Sequence, residues 1–200
     1  MSDEQRSARR KHILTSAWIR FSRDGFHVTS MDQIIAEAKM SSSAVYRYFR
    51  SKDELIEATF EEALSRVTEM LAVLQDEEPL PSPEDVLQTF ADRLLRDDDP
   101  AGYDMTRIII SAWTEALRRP EMLTRTQHAY RDSYATLTVL ARRWHAAGLI
   151  RDDAKPENVA RVLLTLMPGM IATRHLFEMA TAQQLAEGIT ALAITNSADG

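Results

Sequence analysis

Residues 25 to 55 read GFHVTSMDQIIAEAKMSSSAVYRYFRSKDEL. Met31, Ile34, Ile35 and Ala38 fall at i, i+3, i+4 and i+7, the spacing of one apolar stripe on a helix, and Thr29 or Ser30 stands where its N-cap belongs. A scaffolding helix over roughly 30–38 follows from that spacing. After an Ala38-Lys39-Met40 turn, Ser41 can cap a second helix in which Val45 and Phe49 point inward. Ser42, Ser43, Ala44, Tyr46, Arg47 and Tyr48 are left around its outer surface, the alternative for one of the two tyrosines being to pack under Phe49. Ser51-Lys52-Asp53-Glu54 then matches a capping box and opens a third helix.

Two short helices joined by a tight turn, with small polar residues at the front of the second, have the layout of a helix-turn-helix. Thr29-Ser30, Ile34, Ala38, Ser41, Tyr46-Arg47-Tyr48-Phe49 and Ser51-Lys52-Asp53-Glu54-Leu55 resemble the DNA-binding domain of the TetR family of transcriptional regulators. That family usually has Gly where this chain has Lys39, and often Gly near Ser43, so left-handed strain is expected at a non-glycine turn residue. The resemblance implies an all-α fold of about nine helices. A three-helix DNA-binding domain would occupy residues 1–55, and a helical effector-binding and dimerisation domain residues 56–200.

Charge divides along the same line. Residues 1–56 hold ten Lys or Arg against seven Asp or Glu, whereas the remainder holds fourteen against twenty-three, so a chain of net charge −6 splits into halves of about +3 and −9. Arg6, Arg9, Arg10 and Lys11, taken alone, read as a solvated helix start. The absence of cysteine excludes a disulfide framework and a thiolate zinc site. Neither a signal-like apolar core near the start nor a run approaching the roughly 18 apolar residues of a membrane span is present, so a cytoplasmic protein without membrane contact is expected.

Helical periodicity continues through the acidic part. Leu14, Ala17, Trp18 and Phe21 predict a first helix closed by Asp24-Gly25, and Leu55 begins a connecting helix reaching about Gln75. Ser82 and Pro83 open a helix carrying Val86, Leu87, Phe90 and Leu94. Further helices are predicted over roughly 103–118 and from there to about Ala147, with Gly148 as stop. Val159, Val162, Leu163, Leu166, Met167 and Met170 stripe one later helix, bent at Pro168-Gly169, and Leu185, Ile189 and Leu192 stripe the last.

By resemblance, the last two long helices pair with their mates in a four-helix bundle, making Val159, Val162, Leu163, Leu166, Leu185, Ile189 and Leu192 the dimer residues. The same stripes also suit a monomer core, but a helix-turn-helix needs a second half-site. A small-molecule pocket is likewise implied by the resemblance. Phe90, Met105, Ile109, Trp113, Tyr130 and Tyr134 are its first lining residues, and Trp144, Met167, Met170, Arg174 and Phe177 complete the set because they join apolar bulk to a few polar tips. Aromatic and Met residues at this spacing equally suit ordinary core. Glu115, His128, His145 and Arg174 are candidate polar contacts of such a pocket, although most such groups are expected to be solvated or paired.

Five histidines without metal-ligand spacing, and only six glycines with no phosphate-binding run, give no basis for an enzyme, a metal site or a cofactor. The expected partners are a palindromic duplex operator, a second copy of the chain and an unidentified small-molecule effector. Ser42, Ser43, Ala44 and Arg47 would approach base edges, while Thr29, Ser30, Tyr46, Tyr48 and Lys52 hold phosphates. The function expected is a repressor released by its effector. An effector-independent activator or architectural factor, or a helical module with a lapsed reader, are the alternatives.

Overall fold

The computed structural model describes residues 2–94, 102–176, 181, 183–185 and 187–188. Their regular structure is helical throughout: α1 (Asp3–Asp24), α2 (Met31–Ala38), α3 (Ser42–Tyr46), α4 (Lys52–Asp76), α5 (Pro83–Leu94), α6 (Met105–Ala116), α7 (Pro120–Ala146) and α8 (Pro156–Thr173). Thr181 and Gln184 exchange capping hydrogen bonds that open a ninth helical segment. The chain packs as two compact units. One comprises Met1–Leu71 and Arg96–Ser133, the other Ala72–Leu95 and Tyr134–Gly200, so α4 and α7 contribute to both.

In the first unit the α1 stripe is buried as its periodicity predicts: Ile13, Leu14, Ala17, Trp18 and Phe21 join Phe26, Ile34, Val45, Phe49, Leu55, Ile56 and Phe60 in one core. Each large apolar side chain removed from water there contributes roughly 1.5–3 kcal/mol before chain entropy is counted. Phe21 and Phe26 meet edge to face at 4.8 Å between centroids. The Trp18 indole N–H donates to the Thr59 hydroxyl at 3.1 Å, its ring meets Tyr103 edge-on, and the Arg66 guanidinium lies 4.8 Å above it. Gly25 ends α1 at φ +80°, a backbone conformation that a side chain would strain.

In the second unit, Ser82 and Asp85 exchange capping bonds at the start of α5, and hydrogen bonding from the Ser82 side chain, then from its backbone N–H, holds the Asp85 carboxyl below its ordinary pKa. Trp144 is fully buried and its indole N–H donates to the Pro81 carbonyl at 2.6 Å. Arg143 bonds the Gln75 carbonyl and Glu78. Helix α8 packs against α5 and carries two apolar faces. Ala160, Leu163, Met167, Met170 and Ile171 are buried, whereas Val159 and Leu166 are half-buried and Val162 is 49% exposed. Helical structure continues across Pro168 to Thr173.

Candidate nucleic-acid interface

Local chemistry dictates each joint of the helix-turn-helix. Ser30 and Gln33 form a reciprocal capping box on α2, with the Ser30 N–H donating to Gln33 at 2.8 Å and the Gln33 N–H donating to the Ser30 hydroxyl at 3.2 Å. Helix α2 ends at Lys39, whose φ of 51° and ψ of 39° are left-handed, as the missing glycine implied. A non-glycine residue there costs about 1–2 kcal/mol. It is held by His12, whose ring bonds the neighbouring Ala38 carbonyl at 2.9 Å, and by the Lys39 N–H itself, which reaches the Ile35 and Ala36 carbonyls.

Ser41 then accepts from the Ala44 N–H and caps α3, which is only five residues long. So short a helix cannot stand alone, and Val45 and Phe49, both buried, fasten it to the core. Next, the Glu54 N–H donates to the Ser51 hydroxyl at 3.2 Å, while the Glu54 carboxylate accepts from the Arg50 N–H at 2.6 Å, one residue earlier than a standard box.

This framework brings Ser42, Ser43, Ala44, Tyr46 and Arg47 together on one outer face: Ser42, Ser43 and Arg47 are exposed, Tyr46 is 44% exposed and Ala44 is half-buried. Of the tyrosine pair, Tyr48 is the more enclosed. Ser30 is exposed at the α2 cap. Lys52 is half-buried, and its ammonium donates to the His27 carbonyl at 3.0 Å, which leaves two of its three donors for a phosphate. Thr29 is a correction: it is fully buried, and its hydroxyl donates to the Gly25 carbonyl at 2.8 Å, so it braces the α1–α2 turn and is out of reach of a phosphate.

A charge network that the sequence does not announce supports that turn. Glu115, 3% exposed near the end of α6, pairs with His27 at 2.7 Å and with Arg119 at 3.3 Å, and Arg119 also donates to Asp53 at 2.9 Å. The Arg119 pKa is raised, chiefly by its bond to Asp53. The network ties the α1–α2 turn and the first turn of α4 to the end of α6. His27 and Glu115 lie 88 positions apart, a pairing that helical periodicity does not register. Glu115 is therefore a paired brace of this turn, and it also faces the small hollow beside it. That hollow, of 270 Å³, is also lined by Gly25, His27, Ser111 and Thr114.

The residues expected around an effector separate by unit. Met105, Ile109, Trp113 and Tyr130 fall in the first, and Phe90, Tyr134, Trp144, Met167, Met170 and Arg174 in the second. Phe90, Met105, Ile109, Trp144, Met167 and Met170 are buried core residues, whereas Trp113, Tyr130 and Tyr134 are half-buried. Burial raises the Tyr130 pKa, partly offset by its hydrogen bond with Trp113. Phe177, with Ile189 and Leu192 of the dimer set, lies outside the described residues. Leu185 is half-buried. Leu163, 4% exposed, fills the second unit's own core and presents nothing to a partner, which corrects its place in that set.

An open groove of 590 Å³ in the first unit, lined by Glu61, Leu64, Thr68, Arg125, His128 and Asp132 among others, draws only His128 from the expected residues. His145 bonds the Asp152 carbonyl. Among the described residues no helix is long and apolar enough to cross a membrane, and no group of three acidic or histidine residues is placed to hold a metal.

Comparison with known proteins adds two family matches. Residues 13–59 match the model described as bacterial regulatory proteins, tetR family, and residues 83–193 match the C-terminal model of the BetI-type transcriptional repressors. The HTH-type transcriptional regulator UidR of Escherichia coli K12 is 23% identical over 190 residues, covering 92% of this chain and 90% of that protein. Salmonella enterica GusR superposes with a TM-score of 0.68 at 26% identity, covering 92% of this chain and 95% of that one. A regulator from Saccharomonospora viridis in complex with choline shares the fold with a TM-score of 0.73 at 20% identity, covering 92% and 96% of the two chains.

Proposed function

The chain belongs to the TetR family of DNA-binding transcriptional regulators, and from that premise we propose that it is a cytoplasmic homodimeric repressor that leaves a palindromic operator when a small molecule binds its helical body. The observation that carries the reading is α3: a five-residue helix capped by Ser41 and anchored by Val45 and Phe49, with Ser42, Ser43 and Arg47 exposed beside Ala44. In a major groove, serine hydroxyls donate or accept, Ala44 admits a thymine methyl, and the Arg47 guanidinium forks onto guanine. Ser30, Tyr46, Tyr48 and Lys52 hold phosphates and set the register without reading sequence. Residues 1–55 carry the reading and residues 56–200 the control.

Dimerisation is supported by the second apolar face of α8, where Val159, Val162 and Leu166 are incompletely covered within the chain. Two readers related by a two-fold axis would meet half-sites about 34–36 Å apart. Effector control is supported by the BetI-type repressor match and by the choline complex of the S. viridis relative. Trp113 and Tyr130 join aromatic surface to polar tips and are the side chains assigned to the effector. Release requires the effector to bind the DNA-incompetent arrangement more tightly, since equal affinity for both would shift nothing.

Selection of bound duplexes from a random pool by the full chain, at near-physiological salt, tests the reading. A palindrome with two half-sites is the expected result, and recovery of no motif overturns it. On the recovered operator, Arg47→Ala should change which bases are accepted at one position of each half-site, at about 1–3 kcal/mol for each bidentate pair removed. An equal weakening on every sequence would reassign Arg47 to phosphate.

A further inference from the structure

Helix α1 is twenty-two residues long, but its buried side chains begin at Ile13. Every residue from Ser2 to His12 is exposed. At 1.5 Å per residue, about 15 Å of helix stands clear of the apolar core. The stripe that faces the core runs back from Phe21 through Ala17 and Leu14, and steps of three and four continue it at Arg10 and Arg6. Where the core stops, the same face becomes cationic.

That cationic face is continuous with the reader. The Arg10 guanidinium lies 4.9 Å above the ring of Phe49, the buried residue that fastens the exit of α3. Lys11 adds a further exposed cation on the same projecting segment. The tip of the helix is closed in a different way: Ser2 and Gln5 form a capping box, and Asp3 and Glu4 occupy the first turn, where they complement the helix dipole and repel anions. Cations therefore stand one and two turns inside the helix, the inner one, Arg10, against Phe49, with acids beyond them.

A projecting helix of this length gains little from burial, and its charge suits a polyanion lying beside α3. We propose that Arg6 and Arg10 of α1 form a second DNA-contacting edge, which binds phosphates of the duplex flanking the bases that α3 reads. The inference rests on α3 being a reader. It assigns to the start of α1 a role in affinity and footprint length and none in sequence choice.

The test uses the full chain and the operator recovered by selection, prepared once trimmed to its palindrome and once extended on each side by about six base pairs of unrelated sequence, near 20 Å of duplex. The extended duplex should bind more tightly and with a steeper dependence on salt. Arg6→Ala with Arg10→Ala should abolish that advantage, lowering the slope of log affinity against log salt by about 0.9 for each phosphate no longer neutralised, while the selected bases stay the same. Arg6→Ala alone, which leaves Arg10 stacked on Phe49, should give part of the same reduction. Equal affinity and slope of the unaltered protein on both duplexes overturns the proposal without any variant, as does a double variant that keeps the flank advantage. A recovered palindrome with no flank effect defeats this inference alone, whereas no palindrome at all defeats it together with the reader.

Discussion

Helix α3 has five residues and one buried side chain, Val45, whereas α8 has eighteen residues and a buried stripe of five. The short helix depends on a few fixed points at its ends: Ser41, Val45, Phe49 and the Lys39 turn before it. The long one spreads its anchoring over about three turns, from Ala160 to Ile171. A helix with most of its surface exposed keeps little for its own support, so its stability is concentrated in single residues.

Phe49→Ala should show that concentration most strongly, costing about 3 kcal/mol or more in denaturant unfolding monitored by helical circular dichroism. A change under about 1 kcal/mol would mean that α3 is held by something other than its anchor. Met167→Leu in the α8 stripe should cost less than about 1.5 kcal/mol in the same measurement, because the change conserves apolar volume. Lys39→Gly should stabilise the protein by roughly 0.5–1 kcal/mol, since relief of left-handed strain outweighs the added freedom of the unfolded chain. A destabilised variant would show that the turn carries no strain. Val162→Ala should leave intrinsic stability within about 0.5 kcal/mol, while weakening self-association in sedimentation if the outer face of α8 is the dimer seam.

The smallest effect belongs to the α5 cap. Asp85 has its folded pKa lowered by bonds from Ser82, so its contribution is present above the ordinary value of 3.8 and is lost as pH falls through the lowered folded value. Ser82→Ala should remove that component, and the stability difference from the parent should shrink as pH drops through this window. A difference constant across it would separate the cap from the Asp85 charge.

The elements legible beforehand were those whose signals are local. Ser30, Ser41, Ser51 and Ser82 mark helix starts because a hydroxyl satisfies an amide two or three residues away, and Gly25 and Gly148 mark ends because each takes a positive φ. Lys39 announced its strain by being the wrong residue for its turn. Thr29 and Ser30 were indistinguishable as caps until the fold buried one and exposed the other. For Leu163 and Val162, adjacent in sequence and alike in chemistry, spacing cannot tell which faces its own core. Glu115 meets Arg119 at the local i+4 spacing but found His27 through tertiary packing, where periodicity carries no information.

The bond from Glu115 to His27, with Arg119 reaching Asp53, bears on how the molecule can be dissected. A fragment ending near residue 60 would contain every side chain proposed to face bases yet would lack Glu115 and Arg119, and with them Tyr103 against Trp18. Such a fragment should not behave as an autonomous module. In a genetic screen for defective operator binding, substitutions at positions 115 and 119 should appear beside those in the first sixty residues, mapping far from the groove while acting on the same joint.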